Sequence, residues 1–192
     1  MKKVDKGKFG YLDYKKRIEI IRTAVYFALV AAIFFIGYSQ THTRLNLLTV
    51  VAVLGCLPAS KALVGVITRF PYPSIPAVRA EEILLRTGHI TVIFDMILTS
   101  REKIMPIECF VISGKNVFGY TGSDKVDLKY AAGHVKNILG QNQIGDVSVK
   151  LLNNYTAFLA RVEGLDSIAA VEKADTRRQE EEIAHIILNI SM

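Results

Sequence analysis

The sequence predicts an α/β protein in which an N-terminal transmembrane helical hairpin precedes a cytoplasmic α/β domain and a C-terminal helix. Two observations support this class. Two long apolar stretches lie near the start, and strand-like segments alternate with helical ones after them. Of the 192 residues, 51% are hydrophobic, and the mean hydropathy of +0.28 reflects a surplus concentrated in the first 70 residues. We therefore expect one membrane segment and one globular domain.

Each apolar stretch is predicted to be a membrane-spanning helix. Residues 23–39 carry no charged side chain, and residues 45–70 contain only Lys61 before Arg69 near the end. Both are close to the roughly 20 apolar residues that cross a bilayer as a helix. Two buried helices of a soluble core are the alternative. Because only the short segment "QTHTR" separates them, we expect a tight antiparallel hairpin.

The net charge of +6 is unevenly distributed along the chain. Residues 1–22 contain eight basic and three acidic residues, whereas residues 69–192 contain 14 basic and 15 acidic residues. A basic segment beside a membrane helix indicates the cytoplasmic side. We therefore expect the inner (cytoplasmic) membrane, with both termini cytoplasmic and membrane lipids as partners. The near-neutral remainder makes nucleic acid an unlikely partner, because a nucleic-acid site needs a basic surface.

Small residues in the second apolar stretch predict close helix packing. Gly55, Ala59 and Ala62 recur at spacings that place them on one face, where another helix can approach closely. Lys61 has three interpretations. Its amine extends to the cytoplasmic headgroups, or it makes a polar contact between subunits, or it lines a pore.

The remaining sequence predicts the order α-β-β-β-α-β-α on a mixed sheet. The strands are expected at 89–100, 103–113, 117–121 and 146–152, and the even-numbered residues from Ile90 to Leu98 are expected to form one buried face. The predicted domains are a basic juxtamembrane segment (1–22), a transmembrane hairpin (23–69), a Pro-rich linker (70–76), a cytoplasmic α/β domain (77–165) and a C-terminal amphipathic helix (166–192).

The C-terminal helix has an apolar seam with helical spacing. The seam either docks on the domain or pairs with another subunit. Its residues are Ile183, Ile186, Ile187 and Ile190.

The run "PIECFVISGKNVFGY" (106–120) resembles the central strands of nuclease-related NERD domains. The predicted element order is likewise similar to the core of the PD-(D/E)XK nuclease fold. In that family a helix glutamate, a strand aspartate and an E-x-K motif hold a divalent metal ion, Mg²⁺ or Mn²⁺. The resemblance implies that the helix glutamate is Glu82 or Glu81 and that Glu108 takes the place of the strand aspartate.

The third family element departs from the pattern. The E-x-K motif falls on Thr121-Gly122-Ser123, which contains neither a carboxylate nor a lysine. Lys115 or Lys125 could replace the lysine, and Asp95 could add a carboxylate from the neighbouring strand. Because the E-x-K motif is incomplete and residues 69–192 are nearly neutral, we interpret Glu108 as an acid of the sheet or its edge rather than as a metal ligand.

Three functions follow from these patterns. The first is a membrane-anchored cytoplasmic binding or assembly domain, non-enzymatic and without a cofactor, which binds a protein partner or forms a homo-oligomer. The second is a membrane-tethered metal-dependent nuclease that uses Glu82 and Glu108. The third is an oligomeric pore or membrane-perturbing effector, with Lys61 near its lumen.

Overall fold

The computed structural model describes residues 3–43, 46–100, 103–172 and 176–191. The chain forms two compact units. One, the hairpin unit, is Leu12–Pro73, and the other, the α/β unit, combines the residues up to Tyr11 with those from Ser74 onward.

The hairpin unit consists of helices α1 (Tyr11–Thr41) and α2 (Leu47–Arg69). Both are long and apolar enough to cross a membrane, and few of their residues are buried within the protein. The side chain of Asn46 caps α2 by accepting a hydrogen bond from the Thr49 amide. The predicted hairpin of two long apolar helices is confirmed. Helix α1 begins at Tyr11, so the basic residues from Lys15 to Arg22 lie in its first turns. The first apolar stretch follows in the same helix.

Small residues and one ion pair hold α1 against α2. Ala59 and Ala62 are buried, and a Cβ added to Gly55 would lie 3.0 Å from the side chain of Val30. Nη1 of Arg69 lies 2.8 Å from both carboxylate oxygens of Glu19. The two helices are therefore antiparallel, with the beginning of α1 beside the end of α2.

The α/β unit follows the predicted order. Its elements are α3 (Ala77–Leu85), β1 (Thr91–Thr99), β2 (Ile104–Ser113), β3 (Asn116–Tyr120), α4 (Leu128–Gln141), β4 (Ser148–Leu152), α5 (Tyr155–Glu172) and α6 (Arg177–Ile190). The expected C-terminal helix from residue 166 differs from the structure, because Asp166 lies inside α5. Buried Leu165 packs against the sheet, so α5 continues beyond Gly164, and α6 is a separate helix.

The four strands form one mixed sheet in the order β1-β2-β3-β4. Strands β1, β2 and β3 are antiparallel neighbours, and β4 joins β3 in parallel after the α4 crossover. Gly114 forms the β2–β3 turn with φ +53°, a conformation that favours glycine. At Gly119 in β3 an added Cβ would lie 2.2 Å from the Leu151 side chain, so a larger residue does not fit there.

Helices cover both faces of the sheet. The first core packs α4 and α6 against one face, and the second packs α3 and α5 against the other. Phe110 is fully buried in the first core and Phe158 in the second. The result is a three-layer α/β/α arrangement.

The prediction that β1 has one continuous buried face is wrong. Phe94 packs in the second core, whereas Met96 and Leu98 pack in the first. Between them Asp95 has φ +58°, and this left-handed conformation reverses which side chains face each core. Strand β2 reverses at the same level, because Ile107 lies in the first core and Cys109 in the second.

The C-terminal seam docks within the chain, which is one of the two outcomes that the sequence left open. Ile183 and Ile187 are fully buried in the first core, and Ile186 and Ile190 are partly buried against it. The seam is therefore occupied by the protein's own sheet.

The segment before the hairpin also belongs to the α/β unit. The amide of Phe94 in β1 donates to the carbonyl of Gly7 at 2.8 Å, and Nζ of Lys6 donates to the carbonyl of Ser191 at 2.5 Å. This segment therefore contacts both the first strand and the end of α6.

Candidate functional site

The acid singled out in the sequence, Glu108, lies in β2 and anchors the loop that follows β3. Its Oε1 accepts a hydrogen bond from the Gly122 amide at 3.0 Å. Its Oε2 is buried without a hydrogen-bond partner among the described residues, and lies 4.0 Å from Nη1 of Arg79. An added Cβ at Gly122 would lie 2.6 Å from Oε1. The loop therefore sits directly on the carboxylate, which acts here as a structural acceptor.

Arg79 on α3 connects Glu108 to two tyrosines. Its Nη1 donates to the Tyr120 hydroxyl at 3.3 Å, and its guanidinium lies over the Tyr155 ring, 5.1 Å from the centroid. The Tyr155 hydroxyl donates to Oε2 of Glu82 at 2.7 Å. We call these five residues the Arg79 cluster. It spans α3, two strands and α5, and so it ties the helices of the second core to the sheet.

The two tyrosines of the Arg79 cluster both have pKa values raised by their surroundings. Burial and the hydrogen bond to Glu82 raise the pKa of Tyr155 well above its ordinary value. Burial and the negative charge of Glu108 raise the pKa of Tyr120. Both hydroxyls stay protonated at neutral pH, where Tyr155 donates to a carboxylate.

Glu82 is further held by Arg86. Nη2 of Arg86 donates to Oε1 of Glu82 at 3.0 Å, and its Nη1 donates to Oε1 of Glu163 at 2.5 Å. Both carboxylates that the nuclease resemblance assigns to a metal ion, Glu82 and Glu108, thus have an arginine beside them. Arg79 lies 4.0 Å from Glu108 and Arg86 lies 3.0 Å from Glu82.

The other residues proposed for the metal site lie elsewhere. Asp95 is buried and accepts a hydrogen bond from the Ile75 amide at 3.1 Å, which anchors the segment before α3. Lys115 and Lys125 are exposed in turns, and Glu81 is exposed on α3. In the described parts of the chain, no group of three His, Cys, Asp or Glu side chains could hold a metal ion.

The E-x-K position has a structural role of its own. Thr121 is buried, and its Oγ1 donates to the carbonyl of Pro106 at 2.8 Å and accepts from the Ser123 amide at 3.2 Å. Together with the bond from Gly122 to Glu108, these contacts pin the loop to β2.

Cys109 is a core residue. It is fully buried in β2, and burial raises the pKa of its thiol, with the carboxylates of Glu108 and Asp95 adding to the shift. A neutral, inaccessible thiol is a poor nucleophile.

A second acid, Glu180, was not recognised in the sequence, where it stands in a charged run. It is 3% exposed and accepts hydrogen bonds from the Gly114 amide at 2.8 Å and from Oγ1 of Thr91 at 2.9 Å and of Thr176 at 3.0 Å. It joins the start of α6 to β1 and to the β2–β3 turn. Nothing in the local sequence distinguishes it from Glu181 and Glu182.

The proposed membrane residues lie on two faces of α2. Gly55, Ala59 and Ala62 face α1 within the same hairpin, so this small-residue face is already used. Lys61 is exposed on the outside of the helix pair.

A cleft of about 460 Å³ in the α/β unit lies between the β2–β3 turn and helices α5 and α6. It is lined by His89, Lys115 and Asn116 among others. The ring of His89 is held by Asp166, 3.2 Å from its Nδ1. None of the residues assigned to the nuclease site except Lys115 borders this cleft.

No protein-family model, curated protein or solved structure matches the chain. The resemblance to NERD domains and to the PD-(D/E)XK nucleases therefore stays a prediction from the sequence.

Proposed function

We propose that this protein is a non-enzymatic binding or assembly domain that is held at the inner (cytoplasmic) membrane by the α1–α2 hairpin. The observation that carries the proposal is the outer surface of the hairpin. Side chains such as Phe35, Leu57 and Val53 are more than 60% exposed there. An apolar surface of this kind is stable when lipid covers it.

The distribution of charge and polarity along the hairpin supports a transmembrane orientation. The Glu19–Arg69 ion pair marks one end, and Asn46 with its cap marks the other. Along α1, Glu19 and Gly37, which lies against Asn46, are separated by about 27 Å at 1.5 Å per residue. This length is close to the hydrocarbon thickness of a bilayer, about 30 Å.

Contacts in the α/β unit require an even number of membrane crossings between Tyr11 and Ser74. The segment before the hairpin bonds to Phe94 and Ser191, so it lies on the same side of any membrane as the rest of the unit. Lysines and arginines cluster near the Glu19–Arg69 end, which supports a cytoplasmic position for that side.

Exposed apolar side chains on α3 offer a surface to a protein partner. Val78 is 77% exposed and Leu85 is 87% exposed. They are seven residues apart and so share one face of the helix. Because the α6 seam is buried in the first core, a partner or a second copy would use a surface such as this one.

A topology experiment tests the membrane part of the proposal. In a variant without Cys56 and Cys109, single cysteines replace Thr43 in the hairpin loop and exposed Ser167 on α5. A membrane-impermeant maleimide should label Thr43→Cys in intact cells and Ser167→Cys only after lysis. Carbonate washing should leave the protein in the membrane. Release by carbonate, or equal labelling of both positions in intact cells, would show that the hairpin does not span the membrane.

A separate assay tests the non-enzymatic part. Purified full-length protein with Mg²⁺ or Mn²⁺ should leave DNA and RNA intact. Cleavage that Glu108→Ala abolishes and Glu181→Ala, at an exposed acid of α6, preserves would establish the nuclease alternative instead. Light scattering in detergent then separates a homo-oligomer from a monomer that needs a different protein partner.

A further inference from the structure

Two cations on the outside of the hairpin unit carry a further inference. Arg22 on α1 and Lys61 on α2 are both exposed. The nearest acid along α1, Glu19, is 4% exposed and already bonded to Arg69. Because Glu19 is already paired with Arg69, it neutralises the charge of Arg22 less effectively than an unpaired carboxylate would.

The antiparallel register places these two cations at similar depths. Gly55 lies against Val30, and Gly37 lies against Leu48. In two antiparallel helices, the numbers of residues that lie opposite each other add to a constant sum. The two contacts give the same sum, and this sum places Lys61 opposite Ala24. Arg22 is two residues from Ala24, a separation of about 3 Å along the helix. Both side chains are long enough to reach a common group near the headgroup level.

Helical geometry also places them on the same side of the hairpin. At 100° per residue, Arg22 lies about 75° from the face of α1 that contacts α2, and Lys61 lies about 120° from the corresponding face of α2. Because the helices are antiparallel and both rotations have the same sense, the two side chains project from one side. Arg17, also exposed, projects from the side of α1 opposite to α2.

We propose that Arg22 and Lys61 together bind the phosphate of an anionic phospholipid at the cytoplasmic headgroup level. The inference rests on the proposed membrane anchoring. It explains Lys61, a charge within an otherwise apolar helix, as one half of a headgroup site. A second copy of the chain is a poor alternative, because residues 23–68 contain no Asp or Glu to pair with Lys61.

Native mass spectrometry of the full-length protein in detergent tests the site, with phosphatidylglycerol and phosphatidylcholine as probes. The wild-type protein should bind phosphatidylglycerol more tightly. Arg22→Leu and Lys61→Leu should each weaken that binding about fivefold, since one basic residue near an anionic headgroup is worth about 1 kcal/mol. Arg17→Leu is the matched control and should leave the affinity unchanged.

Three results would overturn the proposal. One is equal binding of the two lipids by the wild-type protein, and another is a loss in Arg17→Leu as large as that in Arg22→Leu. The third is displacement of the lipid by millimolar inorganic phosphate, which would assign the site to a soluble anion. Carbonate resistance of each variant is measured in parallel. Stable insertion without lipid preference refutes only the headgroup site, whereas failure to insert refutes the anchoring as well.

Discussion

Replacement of the buried acid Glu180 by alanine should loosen the α/β unit. The carboxylate accepts three hydrogen bonds, from the Gly114 amide and from the hydroxyls of Thr91 and Thr176. Hydrogen bonds to a charged group contribute about 1.5–3 kcal/mol each, but they are not additive. The threonine hydroxyls can find other partners, whereas the Gly114 amide loses its acceptor. We therefore expect a loss of about 3 kcal/mol.

Amide hydrogen exchange measured by mass spectrometry checks this value. Peptides from β1 and β2 report the free energy of opening of the strands that Glu180 connects. A loss of about 3 kcal/mol corresponds to exchange about 150-fold faster when opening limits exchange. Glu180→Gln, which keeps one acceptor oxygen, should show a smaller increase.

The matched control is Glu181→Ala. Glu181 is the next residue of α6 and is exposed, so its removal should change exchange in β1 and β2 by less than about threefold. Equal effects of Glu180→Ala and Glu181→Ala would refute the reasoning, because they would show that the three hydrogen bonds do not stabilise the junction.

Three further predictions concern other parts of the molecule. Gly119→Ala should destabilise the sheet by about 1–3 kcal/mol through overpacking. Gly133→Ala, with no atom within 4 Å of the added Cβ, should instead stabilise α4 by up to about 1 kcal/mol. Denaturant titration measures the free energy of unfolding of both variants, and equal changes would contradict the packing argument. Glu19→Arg and Arg69→Glu should each weaken the packing of α1 against α2, and the variant with both exchanges should restore it. Distances between spin labels on the two helices measure this packing. If the double variant does not recover the wild-type distances, Glu19 and Arg69 are not coupled. Folding raises the pKa of Tyr155, so its contribution to stability is present below pH about 10 and is lost as the pH rises through the higher pKa of the folded protein. Alkaline unfolding, followed by circular dichroism, should therefore depend less on pH in Tyr155→Phe than in the wild-type protein. An unchanged pH dependence would contradict this argument.

The order of helices and strands in the α/β unit could be predicted because the apolar spacing changes clearly between elements. The reversal at Asp95 could not, because it depends on a single left-handed residue, and the alternation on either side of it still suggests one regular strand. The limits of the last two helices were also missed. Gly164 resembles a helix end, and only the burial of Leu165 against the sheet shows why α5 continues.

The site was predictable only in part. Glu108 was recognised as an acid within a strand, and the structure shows that it holds the loop at Gly122. Tyr120 and Tyr155 are 41 and 76 positions away from Arg79 along the chain. No pattern in the sequence links Arg79 to either tyrosine. Such networks depend on tertiary packing, and the spacing of residues along one helix does not show them.

The contact between Gly7 and Phe94 has a consequence for how the protein avoids self-association. Strand β1 is at the edge of the sheet, and an open edge invites pairing with a strand of another molecule. The carbonyl of Gly7 occupies the Phe94 amide, and Ser191 forms a bridge with Leu98. Gly7 precedes β1 in the chain, whereas Ser191 follows α6, so during synthesis the part of the edge at Leu98 stays open longer than the part at Phe94. Deletions that remove either the segment around Gly7 or the end of α6 would leave the edge available for aggregation, even where the hydrophobic cores remain intact.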